Sequence, residues 1–254
     1  MEEIEQLAQL IIESERTVVF TGAGVSTESG IPDFRSPGGI WSRYDPEDFT
    51  IQTFVSSSAA RKAFWQMSAE GGLLAEAEPN PAHYAIARLY GLGKLDCVIS
   101  QNIDNLHQKA GVPEDRVFEL HGNMRRVVCL SCRRRFPLLE IVQKVKEDVE
   151  APDCPGCQGI LKPDAVLFGE ALPAVTLREA TRRAQKCDLC IVIGSTLVVY
   201  PAAYVPAYAR EAGAKLAIVN LTPTPLDHEA AVHIQGKAGE IMPRVIERIP
   251  HYSL

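Results

Sequence analysis

TVVFTGAGVSTESGIPDFRSPGGIW, residues Thr17 to Trp41, opens with a short apolar, β-branched run, Val18-Val19-Phe20, of the kind that forms a buried strand. The run ends in Gly22-Ala23-Gly24, where small residues let the backbone approach a neighbour or a ligand closely. Ser26, Thr27 and Glu28 follow with helix-start chemistry. A strand, a glycine turn and a helix N-terminus in succession would present backbone N–H groups and a positive dipole end to a phosphate. The spacing departs from the usual dinucleotide fingerprint, because Thr27 stands where its third glycine would be. A plain strand-to-helix turn would account for the glycines alone. It does not account for Ile31-Pro32-Asp33-Phe34-Arg35, which puts an aromatic, an acid and an arginine on a loop too rich in Pro and Gly to be regular.

Outward from this stretch, strands and helices alternate. Ile4, Leu7, Leu10 and Ile11 recur at helical spacing and predict a surface helix over residues 2–14, packed on a sheet. Pro46 to Leu74 reads as mostly helical, broken near Ser56-Ser57-Ser58, with Phe49, Phe54, Phe64 and Trp65 as packing residues. Pro81 suits the first turn of a helix running to about Tyr90. Asp96–Ser100, Val117–Leu120, Ala165–Phe168, Leu189–Ile193 and Leu216–Val219 read as strands, with helices at about 173–186, 203–212 and 239–248. The pattern predicts an α/β fold, a Rossmann-like doubly wound parallel sheet carrying a small inserted zinc-binding domain and a helical insertion. The corresponding division is residues 1–35, 82–124 and 165–254 for the Rossmann-like domain, 36–81 for the loop and helical insertion, and 125–164 for the zinc module.

Composition narrows the function. The 254 residues are 46% hydrophobic and 23% charged, ordinary values for a globular protein with a sizeable core. A net charge of −6 argues against a surface built for nucleic acid. No apolar run approaches the ~20 residues of a membrane-spanning helix, so no membrane partner is expected. The acidic, amphipathic start MEEIEQLAQLIIESER lacks the basic n-region of a signal peptide. A cytoplasmic setting is expected, and there the seven cysteines read as metal ligands and buried thiols, not disulfides.

Cys129-x-x-Cys132 and Cys154-x-x-Cys157 carry the most specific chemical signal. Two such knuckles about 20 residues apart match a closed, four-thiolate structural zinc site. Cys97, Cys187 and Cys190 lie in apolar strand contexts and read as core residues. Gln101-Asn102-Ile103-Asp104 and His121-Gly122 each follow a strand, so both deliver polar groups to the sheet edge where ligands bind in open α/β folds. His121 is the candidate base, since imidazole titrates near neutral pH. Turn and N-cap chemistry would also use Asn102 and Asp104. His83 and His107 read as helix residues that cap or pack, and His228, His233 and His251 as a loop, a short-strand and a tail residue.

The stretch GAGVSTESGIPDFRSPGGIW resembles the cofactor loop of the sirtuins, NAD-dependent protein-lysine deacylases, and similar motifs follow in the family's order over nearly the whole chain. The resemblance implies that NAD is a co-substrate held by Gly22, Ala23, Gly24, Ser26, Thr27, Asp33, Phe34 and Arg35. It adds Gln101, Asn102, Ile103 and Asp104 at the nicotinamide ribose, and Gly194, Ser195 and Thr196 at the ribose and phosphates. Asn220 with Leu221 and the Ala238 segment fall at the adenosine end. It also implies that His121 is the general base, with Asn102 and Asp104 beside it as catalytic residues. Acyl-lysine protein or peptide substrates would lie between two strands, one carrying Val166, Phe168, Gly169 and Glu170 and the other Val199, by β-augmentation. No acid about 20 residues after the glycines reads as the usual ribose partner. Two rivals stand beside this reading. A mono-ADP-ribosyltransferase would use the same NAD site, and a nucleic-acid-binding zinc ribbon would use Arg125, Arg126 and Arg133 to Arg135.

Overall fold

Strand Thr17–Thr21 (β1) is buried along its whole length and alternates its side chains between two apolar layers. Val19 joins the layer on one side of the sheet, and Val18 and Phe20 join the other. Each such side chain contributes about 1.5–3 kcal/mol relative to exposure. A computed structural model describes residues 1–34, 36–42, 44–70, 77–147 and 151–250. Arg35, residues 71–74 of the expected helical stretch and His251 lie outside the described residues.

Helix α1 (Glu2–Glu13) precedes β1, and α2 (Ile51–Ser56), α3 (Ser58–Ala69) and α4 (Pro81–Gly91) lead to β2 (Leu95–Ser100). The short α5 (Leu106–Lys109) leads to β3 (Val117–Glu119). Then come β4 (Gly122–Cys129), β5 (Arg135–Pro137), α6 (Leu138–Lys146) and β6 (Leu161–Ala165). The chain continues through α7 (Ala174–Ala184), β7 (Leu189–Ile193), α8 (Tyr204–Glu211), β8 (Lys215–Asn220), β9 (Val232–Gln235) and α9 (Ala238–Ile246).

Six parallel strands form the main sheet in the order β3-β2-β1-β7-β8-β9. Residues from α1, α4 and α9 cover one face, and residues from α7 and α8 cover the other. The chain winds outward from β1 in one direction and from β7 in the other. The C-terminal ends of these two adjacent strands therefore form the topological switch point, where such sheets leave a crevice.

The second sheet is antiparallel, β5-β4-β6, and corrects one expectation. The strand expected at Ala165–Phe168 ends at Ala165 and belongs to this small sheet, because Gly122↔Ala165 and Cys129↔Leu161 pair across it. The helical insertion and the cysteine module share one apolar cluster: Phe54, Phe64 and Trp65 pack with Met124, Val127, Ile141 and Leu161. A helix break falls at Ser57, which is extended and caps α3 by accepting from Ala60 N–H.

Asn80 ties the helix layer to the glycine loop. Its Oδ1 accepts the Ala82 N–H at 2.9 Å to cap α4, and its Nδ2 donates to Val25 O at 2.7 Å and to Ser29 Oγ at 3.0 Å. Asn80→Ala removes a cap and leaves the buried Val25 carbonyl without its donor. Stability is expected to fall by about 2 kcal/mol or more, with the fold retained. Urea unfolding measures it, and a loss below about 0.5 kcal/mol would refute the assignment.

Candidate active site

At the switch point two glycine turns touch. Gly24 N–H donates to Gly194 O at 2.8 Å, and Gly22 N–H to Ile193 O at 3.2 Å. Gly194 has φ +63°, and a Cβ there would lie 2.2 Å from Val25 N, so no side chain fits. The helix expected after the glycines does not form. Residues Ala23–Val25 and Thr27–Ser29 make two single 3-10 turns, closed at Gly30 with φ 84°. The Gly24 N–H is committed to Gly194, and the Ser26 side chain is drawn into the site, which leaves this segment short of a helix dipole.

Strand β2 delivers the residues that meet Ser26. Ser26 Oγ donates to Asp104 Oδ2 at 2.7 Å and accepts from Asn102 Nδ2 at 3.1 Å. Asn102 Nδ2 also reaches Gly22 O at 3.2 Å. Asp104 serves structure as well, since its Oδ1 accepts the Leu106 N–H at 2.9 Å at the start of α5. Gln101 Oε1 accepts from Ser195 Oγ at 2.7 Å, which links the β2 edge to the β7 turn.

Behind this floor stand two buried histidines on helices, as their sequence context implied: His83 in the capping box of α4 and His107 in α5. His83 Nδ1 accepts the Asn80 N–H at 3.3 Å, so its proton sits on Nε2, 3.5 Å from Ser26 Oγ. Burial lowers the His83 pKa to about 4, against the pull of Asp104. His107 Nε2 lies 2.9 Å from Thr21 Oγ1, and burial holds this ring well below the ordinary histidine range. Both rings are neutral at pH 7.

His121 follows β3 and approaches the same edge. Its Nδ1 lies 2.8 Å from the Gln101 carbonyl, which can only accept, so Nδ1 carries the proton and Nε2 keeps its lone pair. Burial lowers its pKa, partly offset by that hydrogen bond. Gly122, at φ +67°, turns the chain immediately afterwards, where a Cβ would lie 2.0 Å from Asp164 O.

These groups line a cleft of about 400 Å³ between the main sheet and the smaller lobe. Its lining includes Ala23, Gly24, Ser26, Thr27, Asp33 and Phe34 from the glycine loop, and Gln101, Asn102, Ile103, Asp104 and His121. Gly194, Ser195, Thr196, Asn220, Leu221 and Ala238 line it along the ends of β7, β8 and α9. Gly22 lies behind the lining, and Arg35 falls outside the described residues. Val166, Phe168, Gly169, Glu170 and Val199 also line it, but not on strands. Val166–Gly169 is an irregular segment held by Val166 N–H to His121 O at 2.8 Å and Phe168 N–H to Phe49 O at 3.1 Å, and Leu197 takes φ 56°. Glu170 turns back on its own loop, accepting the Leu167 N–H at 2.7 Å.

One end of the cleft is apolar, with Phe49, Phe64, Ile103, Met124 and Leu167 in its lining. Met124 was not foreseen, because an isolated methionine two residues after His121-Gly122 carries no pattern. Trp65 and Met67 turn into the core instead. The Arg61 guanidinium is engaged with Phe54 O at 3.0 Å and Val55 O at 2.9 Å. In the arginine-rich arm, Arg126 and Arg135 both pair with Asp164, at 3.5 and 2.8 Å.

The cysteines of the smaller lobe converge. The Sγ atoms of Cys129, Cys132, Cys154 and Cys157 all lie within 4.8 Å of one another, with Cys129–Cys157 at 3.5 Å and Cys132–Cys154 at 3.7 Å. Disulfide sulfurs would sit about 2.05 Å apart. Four thiolates 2.3 Å from a tetrahedral zinc would stand about 3.8 Å apart. The donor set and spacing fit zinc with no open coordination position.

The model of the Sir2 family matches residues 22–201. NAD-dependent protein deacylase 2 of Archaeoglobus fulgidus is 47% identical over 249 residues, 98% of this chain and 96% of that protein. NAD-dependent protein deacetylase of Sulfolobus acidocaldarius is 44% identical over 250 residues, 98% of this chain and 96% of that protein. A solved structure of Sir2 with p53 peptide and NAD+ superposes with a TM-score of 0.87 at 40% identity, covering 96% of this chain and 97% of that one.

The thiolate cluster yields its own prediction. Elemental analysis is expected to find one zinc per chain, and Cys154→Ala to abolish it. Because Cys129 and Cys154 sit in the same cluster as Trp65, metal loss is expected to loosen the whole smaller lobe and red-shift the emission of that buried indole. Unchanged emission from zinc-free protein would refute a structural metal.

Proposed function

The chain belongs to the Sir2 family, and from that membership we propose an NAD-dependent protein-lysine deacylase in which His121 is the general base. The observation that carries the role of His121 is its tautomer, since the Gln101 carbonyl leaves Nε2 as the acceptor. Bound NAD supplies a ribose carbon that nicotinamide can leave. Overall, acyl-lysine, NAD and water become lysine, nicotinamide and O-acyl-ADP-ribose, and no hydride moves.

The residues divide the work. The glycine turns at Gly24 and Gly194, with Ser195, receive the pyrophosphate, and Asn220, Leu221 and Ala238 the adenosine. Asn102 and Asp104, held by Ser26, fix the floor on which the nicotinamide ribose sits. His121 takes a proton from a ribose hydroxyl at Nε2, which lets the acyl group migrate to the sugar. The peptide lies along Val166–Glu170 and Val199, where Phe168, Val198 and Tyr200 are exposed apolar side chains at the cleft. Zinc on Cys129, Cys132, Cys154 and Cys157 shapes the lobe that carries one wall and takes no part in the reaction. No helix among the described residues is long and apolar enough to cross a membrane. A cytoplasmic setting belongs to the proposal, supported by the use of cysteine as thiolate ligands.

Mass spectrometry of products from NAD and acyl-lysine peptides tests the reaction: O-acyl-ADP-ribose supports it, and ADP-ribose attached to protein without deacylation overturns it. His121→Ala is expected to reduce turnover by about 10²–10⁴-fold with circular dichroism unchanged. The wild-type kcat/KM should fall only as pH drops through a value below 6.5, because burial lowers the pKa of the base and protonation removes its lone pair. Near-normal turnover in the variant would remove His121 from this role.

Acyl preference follows from the apolar end of the cleft. Among the described lining residues the only Lys or Arg is Lys237, at the α9 end, and Arg61 is engaged with backbone carbonyls. A succinyl or malonyl carboxylate placed between Phe49, Phe64 and Met124 would be a buried charge without a partner, costing several kcal/mol. On one peptide, kcat/KM for acetyl-lysine is expected to exceed that for succinyl-lysine by at least about 100-fold. Equal values would require a cation at that wall.

A further inference from the structure

Lys162 is 4% exposed, an unusual burial for a lysine, and it lies at no position assigned to chemistry. It follows the first residue of β6, and the backbone around it is apolar: Leu161 and Pro163 on either side are buried. A buried ammonium needs its protons satisfied. Three acceptors do this. Lys162 Nζ donates to Pro163 O at 2.9 Å and to Ala165 O at 2.6 Å, and pairs with Glu170 Oε2 at 3.0 Å.

All three acceptors belong to one segment. Pro163, Ala165 and Glu170 each line the cleft, as do the residues between Ala165 and Glu170. The same Glu170 oxygen accepts the Leu167 N–H at 2.7 Å, and Glu170 N–H returns to Leu167 O at 3.0 Å, so the carboxylate closes the turn from inside. One cation thus gathers the start and the end of the segment that forms the peptide-side wall. Between these anchors the wall is also held through backbone bonds: Val166 to His121, and Phe168 to Phe49 and Ile51.

We infer that Lys162, through its buried pair with Glu170, is the positioning residue of the peptide wall, setting where Val166–Gly169 present their backbone to an acylated peptide. The role rests on the proposed peptide site but not on the reaction itself. Lys162 is not among the residues that line the cleft, and none of its three partners lies on the glycine turns or on β2. Its loss therefore shifts the wall against the peptide while leaving the NAD floor in place. This pair also reassigns Glu170: the carboxylate is spent on the loop's own geometry, and its contribution to substrate is the shape it imposes.

The test compares wild type with Lys162→Met and Lys162→Arg, titrating a fluorescent acetyl-lysine peptide by anisotropy and measuring KM separately for peptide and for NAD. Lys162→Met is expected to weaken peptide binding and raise peptide KM by about tenfold, with KM for NAD changed by less than about twofold. Lys162→Arg, which keeps a donor-rich cation facing the carboxylate and both carbonyls, is expected to recover most of the peptide affinity. If Lys162→Met does not fold, Glu170→Ala removes the ion pair and the turn-closing acceptor while leaving both carbonyl bonds of Lys162, and the same selective loss of peptide affinity is expected. Unchanged peptide affinity in a folded variant overturns the inference, as does an equal loss for peptide and NAD, which would mark general destabilisation. A wild-type protein that binds the peptide but does not deacylate it counts against the proposed reaction and leaves the wall measurement to decide this role on its own.

Discussion

The contact between Gly24 and Gly194 is the constraint on which the rest of the site depends. Two neighbouring parallel strands end at the same level, and the turns that follow can meet only because neither carries a side chain; a Cβ on Gly194 would fall 2.2 Å from Val25 N. That meeting brings Ser195 within 2.7 Å of Gln101 and puts Ser26 over Asp104. The crevice then has its floor on the sheet side, facing the smaller lobe. Sheet topology supplies a gap at this point in any doubly wound fold, and the glycines decide how narrow its base is.

That floor is made of buried and half-buried polar groups that hold one another in place. Ser26 Oγ donates once and accepts from Asn102 and, at longer range, from His83. His83 is itself fixed by the backbone of Asn80, the residue that caps α4 and reaches across to the glycine loop. Rigidity at the floor therefore arises in a helix N-terminus well behind it. Neutral imidazoles suit this place, since burial of both rings disfavours their charged forms.

The strands of the main sheet were legible because buried β-branched runs bounded by glycine leave little choice, and Val18-Val19-Phe20 and Leu189–Ile193 lie where periodicity sets them. The paired CxxC knuckles were legible for a similar reason, as few other structures ask for that spacing. The segment after Gly24 was not, because Ser26-Thr27-Glu28 carries the same N-terminal chemistry whether a helix follows or, as here, a side chain is captured by tertiary partners. Val166–Gly169 misled in the opposite way: an apolar run beside a strand looks like its continuation, yet its backbone bonds go to His121 and Phe49. Local pattern also could not show that Phe64 of the helical insertion, Leu161 of the cysteine module and Met124 lie in a single core, since that depends on segments distant in sequence meeting.

The smaller sheet begins at Gly122, directly after His121, and its last strand ends at Ala165, directly before Val166. The His121 carbonyl accepts the Val166 N–H at 2.8 Å, so more than forty residues depart from and return to a single hydrogen bond. Topologically the cysteine lobe is a closed loop hung from His121. The entropy of closing a loop grows only slowly with its length, by about 0.6 kcal/mol for each doubling. Residues far out on the lobe can thus be gained, lost or exchanged while the two atoms at its neck stay where they are. Change in the outer part of the lobe is in this way decoupled from the geometry at its neck, where His121 and Val166 meet.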